Sequence, residues 1–378
     1  MDVRFLTSVI GRCVASAEAR SMEKMGGLSG AFEIVDVELE DGESLALVVK
    51  RTSTGSEAVA ASLGTPREGK FFASLAQELG DVVPRAYHAT GDAATGAKRV
   101  LMEFLPDAVP AGVMFGRGNP NNWALSEEKM SEIVARGGSP TAIDVSAEAF
   151  ALYAKLHARY WGDEAVLENE WLRGAKWVRG GGEDEWATAQ RIAADAWAEV
   201  SKVDWPNHLV ACLDASFTKV NWDAFQKELR ARPWTVVHGD AHPHNILRVN
   251  HSTDAARLVL IDFEMVGVGS NAQELGQFLI SHMSPAERRA HERDLVRKYH
   301  EDLVCALRGY GRGAAADEYS FDACWNEYVA GGAGRWLWFV PYLAKACPPD
   351  MARFFNHQLA TFLEDHFPNP ATVPMPRV

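Results

Sequence analysis

Val236-Val237-His238-Gly239-Asp240-Ala241-His242-Pro243-His244-Asn245-Ile246-Leu247 is the stretch whose residue types and spacing best fit chemistry. A β-branched run leads into a tight loop that holds one carboxylate and, five residues later, one carboxamide. A second apolar run, Leu258–Ile261, delivers Asp262 and Glu264. Two strands presenting Asp, Asn and Asp at one end make an oxygen-rich site, which hard cations such as Mg²⁺ prefer. Phosphoryl transfer needs such an ion to neutralise charge on a nucleotide. Taken singly, Asp240 and Asp262 also suit the turns that end strands; the joint spacing favours chemistry.

The same residues admit other readings. His238, Asp240, His242, His244 and Asp262 have the types of a zinc or iron hydrolase site, but no distant His stands at an obvious strand end to complete it. Gly64-Thr65-Pro66-Arg67-Glu68-Gly69-Lys70-Phe71 imitates a phosphate loop, yet Phe71 replaces the required hydroxyl and Glu68 adds the wrong charge. Gly267-Val268-Gly269-Ser270-Asn271-Ala272 imitates a dinucleotide fingerprint, but no strand ending in an acid follows at the right distance.

The elements that must position these residues divide the chain. All twelve Trp lie beyond position 122, and the first 104 residues are rich in strand signals. Residues 14–51 read as a meander turned at Asp41-Gly42, whose last strand ends in Lys50. Apolar spacing predicts a helix over Arg67–Leu79 capped by Gly80, then strands over Val82–Ala89 and Arg99–Phe104. Residues 107–142 read as a long loop with one short helix near Ser126–Arg136, and the chain is mostly helical from Ser146.

Composition narrows the classes. The 378 residues are 47% hydrophobic with a net charge of −13, the wrong sign for a nucleic-acid binder. No apolar run reaches the roughly 20 residues of a membrane helix, and no signal peptide is read at the N-terminus. Five scattered cysteines, never spaced CxxC, fit reduced thiols in a cytoplasmic protein.

His238-Gly239-Asp240-(four residues)-Asn245 followed by Asp262-Phe263-Glu264 resembles the HRDxxxxN and DFG pair of protein kinases. With its HGDxHxxN loop and IDxE, the sequence resembles the aminoglycoside phosphotransferase and choline kinase-like family, above all its ecdysteroid-kinase-like branch. Leu156–Gly162, Arg67–Phe72 and Gly267–Gly269 leading to Glu274-Leu275 support that resemblance. It implies a two-lobed, protein-kinase-like α+β fold. Residues 1–104 would form a small antiparallel-sheet lobe, 105–378 a larger helical lobe, and nucleotide would sit in the cleft between them.

The resemblance also implies roles. Asp240 would be the catalytic base, with His238 bracing the loop. Asn245 and Asp262 would hold Mg²⁺. Lys50 would contact the nucleotide phosphates and pair with Glu68. Gly27, Ser29 and Gly30 would cover the phosphates, and Met102, Glu103 and Leu105 would bind adenine. The implied activity is phosphorylation of a hydroxyl on a small molecule by ATP, with GTP as the alternative donor, in a monomer or homodimer. The branch inclines the acceptor toward an apolar or sterol-like alcohol. Departures from the pattern are a weak glycine loop, Glu274 where Asp is commoner, and a long 107–142 segment. A catalytically weak, pseudokinase-like binding module is the remaining alternative.

Overall fold

A computed structural model describes residues 2–21, 30–249 and 257–378. The chain divides into two compact units, Met1–Ala108 with Val259–Val266, and Val109–Leu258 with Gly267–Val378. The boundary expected at 104/105 did not foresee that a short segment around Asp262 joins the N-terminal unit.

The N-terminal unit begins with helix α1 (Val3–Ile10), capped by the Asp2 side chain. It continues through strands β1 (Val14–Ser21), β2 (Gly30–Leu39) and β3 (Ser44–Thr52), helices α2 (Glu57–Leu63) and α3 (Arg67–Ser74), and strands β4 (Ala86–Gly91) and β5 (Lys98–Glu103). The strands form one antiparallel sheet in the order β1-β2-β3-β5-β4. Strand side chains alternate between faces, so the register assigns them. Val35, Val37, Leu39, Leu47, Val49 and Leu101 gather with Leu6 of α1 in one core. Lys50 lies opposite Phe32 and Val100, and Lys98 precedes Val100 by two residues. Both lysines therefore share the other face.

The expected helix over Arg67–Leu79 is shorter. It stops at Ser74, and Ala76–Val82 forms a 3-10 segment in which Gly80 has φ 56° rather than capping an α-helix. The following strand starts at Ala86, four residues later than its apolar run suggested.

The C-terminal unit opens with β6 (Val109–Pro110), α4 (Glu127–Arg136) and α5 (Ala142–Arg159). The 107–142 segment thus carries more structure than one helix, including 3-10 turns at Ala111–Phe115 and Pro120–Asn122. Asn122 holds the first of these by donating to the Gly112 and Gly116 carbonyls. Helices α6 (Ala175–Val178), α7 (Glu183–Glu199), α8 (Asn207–Phe217) and α9 (Trp222–Arg230) precede strands β7 (Thr235–Val237) and β8 (Ile246–Val249). Strand β9 (Arg257–Leu260) leads into Asp262, and β10 (Gly267–Gly269) returns to pair antiparallel with β7. That pairing rules out a parallel dinucleotide-binding unit at the Gly267 motif. Helices α10 (Asn271–His282), α11 (Pro285–Gly309), α12 (Gly313–Glu318), α13 (Phe321–Ala346) and α14 (Pro349–His366) complete the unit. A Cβ on Gly276 of α10 would lie 2.5 Å from the Gly332 Cα of α13, so two glycines are required for this close crossing.

Candidate active site

In the N-terminal unit the two face-sharing lysines meet three carboxylates. Helix α3 buries Glu68, which is 1% exposed, against Lys50 Nζ at 2.7 Å and Lys98 Nζ at 2.5 Å. Phe71 of α3 stacks on Phe263 with ring centroids 4.0 Å apart, which seats the turn Phe263–Met265 beside the sheet. Asp262 and Glu264 flank that ring and reach the lysines. Lys50 Nζ lies 2.8 Å from Asp262 Oδ1 and 3.2 Å from Glu264 Oε1, and Lys98 also pairs with Glu264. Asp262 has φ 66° and ψ 60°, a left-handed backbone that few residues other than Gly, Asn and Asp adopt.

Charge decides the ionisation of this cluster. Burial alone would raise the Glu68 carboxyl, but the Lys50 and Lys98 ammoniums hold it down at about 2. Burial would lower the Lys50 ammonium, yet Glu68, Asp262 and Glu264 together raise it. Asp262 is raised, by burial and by its two carboxylate neighbours acting against Lys50. Glu68, Asp262 and Glu264 present oxygens all within 4.8 Å of one another.

Other predicted residues of this unit fall nearby or lie elsewhere on it. Gly30 faces Lys50: a Cβ there would lie 3.5 Å from its Cε. Gly27 and Ser29 lie outside the described residues. Met102 pairs with Val48, and the Glu103 N–H is taken by the Arg85 carbonyl at 2.9 Å. Leu105 follows β5, its carbonyl accepting from the Ala108 N–H. The phosphate-loop imitation at Gly64–Phe71 is the start of α3, with Glu68 turned inward to the lysines.

In the C-terminal unit β7 delivers the loop His238–Asn245. Gly239 has φ 83°, a conformation that needs glycine. The Glu274 carboxylate of α10 accepts from the His238 N–H at 2.9 Å and the Gly239 N–H at 2.7 Å. Glu274 is itself held by His157 Nε2 at 3.0 Å, and the other His157 nitrogen meets the Tyr299 hydroxyl at 2.7 Å. The departure of Glu274 from the commoner Asp is therefore accommodated by a complete hydrogen-bonded chain. Asn245 donates from Nδ2 to the Asp240 carbonyl at 3.0 Å and to Asp240 Oδ2 at 3.1 Å. His238 is fully buried, and its Nδ1 accepts from the Asp240 N–H at 3.3 Å. This is a bracing contact. His238, Asp240 and Asn245 are thus brought together.

Asp240 is half-buried, and desolvation alone would raise its carboxyl. The His242 charge and hydrogen bond, with His238 and Arg335, outweigh burial and hold it well below the usual carboxylate range. His242 Nε2 stands 3.4 Å from Asp240 Oδ2. His242 stacks on His282 at 5.5 Å between ring centroids, with His244 5.4 Å from His282. Burial and His242 push the His244 imidazole down to about 3. Among the described residues the histidines form no converging group of three potential metal ligands, so the hydrolase alternative gains no support.

Sequence reasoning missed three buried residues of these clusters: Lys98, His282 and Arg335. Lys98 alternates with Val100 and Met102, so its inward face was readable once the register was known.

Comparison with known proteins completes the picture. Residues 163–311, a span containing both Asp240 and Asp262, match the ecdysteroid kinase-like family. Over that span the chain is similar to the ecdysteroid kinase-like family. The match bears out the resemblance carried by the HGDxHxxN and IDxE motifs. Among solved structures, the GDP and kanamycin complex of APH(2")-IIia is 11% identical over 97% of this chain and 100% of that one, with a TM-score of 0.51. The choline kinase LicA from Streptococcus pneumoniae is 13% identical over 88% and 97%, with a TM-score of 0.38. The macrolide 2'-phosphotransferase MphH from Brachybacterium faecium is 15% identical over 95% of each chain, with a TM-score of 0.42. No curated protein matches the sequence. The first likeness shows that the chain has an α+β, protein-kinase-like fold. No described helix is long and apolar enough to cross a membrane.

Proposed function

We propose that the protein is an ATP-dependent kinase that phosphorylates a hydroxyl group of a small molecule, with GTP as the alternative donor. The observation that carries this reading is the Asp240 loop. A half-buried carboxylate is fixed by Asn245 at 3.1 Å, on a backbone clamped by Glu274. Such a group is held ionised and aimed, which suits orienting an acceptor hydroxyl and taking its proton late in transfer. Loose phosphoryl transition states demand little more of the protein than positioning and charge neutralisation.

The other roles follow from the donor types. Lys50, fixed by Glu68, supplies positive charge for nucleotide phosphates, and Gly30 leaves room above it. Asn245 and Asp262 would hold Mg²⁺. The fit is chemical: Asn245 directs its amide NH₂ at Asp240, which leaves its carbonyl oxygen as a donor, and Asp262 offers carboxylate oxygen. The ion would neutralise phosphate charge. The acceptor is a hydroxylated small molecule; one solved neighbour, with a TM-score of 0.51, is a complex with GDP and kanamycin. The ecdysteroid kinase-like match inclines the reading toward an apolar or sterol-like alcohol.

Calorimetric titration with a non-hydrolysable ATP analogue, with and without Mg²⁺, tests the donor site. Binding that strengthens with Mg²⁺ is expected, and Asp262→Asn should remove that strengthening. Asp240→Asn should abolish ADP release with a competent acceptor while nucleotide still binds. Turnover retained by that variant overturns the role of Asp240. Absence of any ATP or GTP binding overturns the kinase reading as a whole.

A further inference from the structure

Helix α13 carries a fully buried arginine, Arg335, against the Asp240 loop. We propose that Arg335 is a positioning residue for that loop, its guanidinium holding the Gly239 carbonyl so that Asp240 stands where an acceptor hydroxyl must meet it. The inference rests on the kinase reading above and adds to it a residue that neither motif contains.

Nη2 of Arg335 donates to the Gly239 carbonyl at 3.2 Å. The N–H of the same residue is held by Glu274 at 2.7 Å, so the one left-handed residue of the loop is pinned through both its polar groups. The next carbonyl, that of Asp240, is held by Asn245. Each peptide group on the approach to the carboxylate therefore has a fixed partner.

The guanidinium itself is fixed from behind. It lies over the Phe339 ring at 4.1 Å and near the Trp338 ring at 5.4 Å, both on the following turn of α13. Asp240 and Glu274 attract it and Arg173 repels it. The glycine crossing at Gly276 and Gly332 sets how near α13 comes, one turn before Arg335.

A structural role would be a poor use of this side chain. Nε and Nη1 are buried without a hydrogen-bond partner, although a guanidinium has five donors to satisfy. A buried charge with unmet donors destabilises a fold, and an apolar side chain of similar size often replaces it with no loss of stability. A residue that works against stability yet touches the catalytic loop is placed for function.

Arg335→Met and Arg335→Lys test this, each read by melting temperature, hydrogen exchange over residues 236–245, and steady-state kinetics. For Arg335→Met the melting temperature should hold or rise, and the loop amides should exchange faster. In the kinetics, kcat should fall roughly ten- to hundredfold at unchanged KM for nucleotide, the scale of a catalytic group misplaced by about an ångström. Arg335→Lys, which keeps the charge without the fork, should recover kcat only in part. Gly332→Ala, whose methyl would lie 2.7 Å from the Gly276 Cα, should loosen the same amides with Arg335 intact. Unchanged exchange in the loop overturns the proposal, and so does a lower melting temperature with kcat preserved. Exchange and melting require no turnover. A wild-type protein without activity would therefore sink the kinase reading while the exchange data still decide the role of Arg335.

Discussion

Glu68→Gln is the most informative perturbation of the N-terminal unit. The carboxylate is 1% exposed and stands between two buried ammoniums, Lys50 at 2.7 Å and Lys98 at 2.5 Å. Its carboxyl is held at about 2 against an ordinary 4.5. At 1.36 kcal/mol for each pH unit, that difference makes the ionised group worth about 3 kcal/mol to the folded state. Breaking a buried pair by removing one partner gives the same range, about 3–5 kcal/mol. At roughly 2–4 °C for each kcal/mol, the variant should melt some 6–12 °C lower at pH 7. The sign of the pH dependence follows from a depressed folded value. The contribution is complete above 4.5 and disappears as pH falls through about 2, so the gap between the two proteins should narrow below pH 4.5. Calorimetry at pH 7, 5 and 3 measures it. A loss at pH 7 below about 1 kcal/mol, or a gap that stays constant to pH 3, would refute the reasoning. Adding Lys98→Met removes one stranded ammonium and should return part of the loss.

The thiols offer a simple check of burial. Cys13 and Cys305 are exposed and should react with a thiol reagent in the native protein. Cys212 and Cys324, pushed up by burial to about 11 and about 12, should stay silent until the chain unfolds; counting fast and slow thiols decides it. Gly112→Ala should destabilise the protein by about 1–3 kcal/mol in urea, because its Cβ would lie 2.2 Å from the His244 ring. Equal stability would mean that His244 has room to withdraw.

The His238–Asn245 loop was legible because its candidate residues lie within eight consecutive positions between two apolar runs. Lys50 and Glu68 were legible only through resemblance, since 18 residues and a strand register separate them. Lys98 was not read at all: it leaves the Asp92–Ala97 turn, where a lysine is ordinarily solvated, and only the register of β5, in which Lys98 falls on the same face as Val100, reveals the buried face. Arg335 lies 96 residues from the carbonyl it holds, among Gly331, Gly332 and Gly334, and no period in the sequence links the two. The 107–142 segment resisted for another reason. Side-chain bonds such as those from Asn122 shape it, and these leave no periodic trace. The helix after Pro66 was overextended because its apolar spacing runs on through Leu75 and Leu79 into a 3-10 segment.

The return of Val259–Val266 to the N-terminal unit has a consequence for synthesis. A ribosome releases Lys50, Glu68 and Lys98 long before Asp262 and Glu264, with the whole of Val109–Leu258 made in between. At about 5–20 residues per second that delay is roughly 8–30 s. During it the nascent sheet holds two ammoniums against a single carboxylate, and Phe71 lacks the ring that later stacks on it. The amino-terminal unit therefore cannot finish folding as it emerges. Its last turn arrives on the same short stretch of chain that brings the metal-binding carboxylate we propose, so the lysine–carboxylate cluster is completed only after the His238–Asn245 loop has been made.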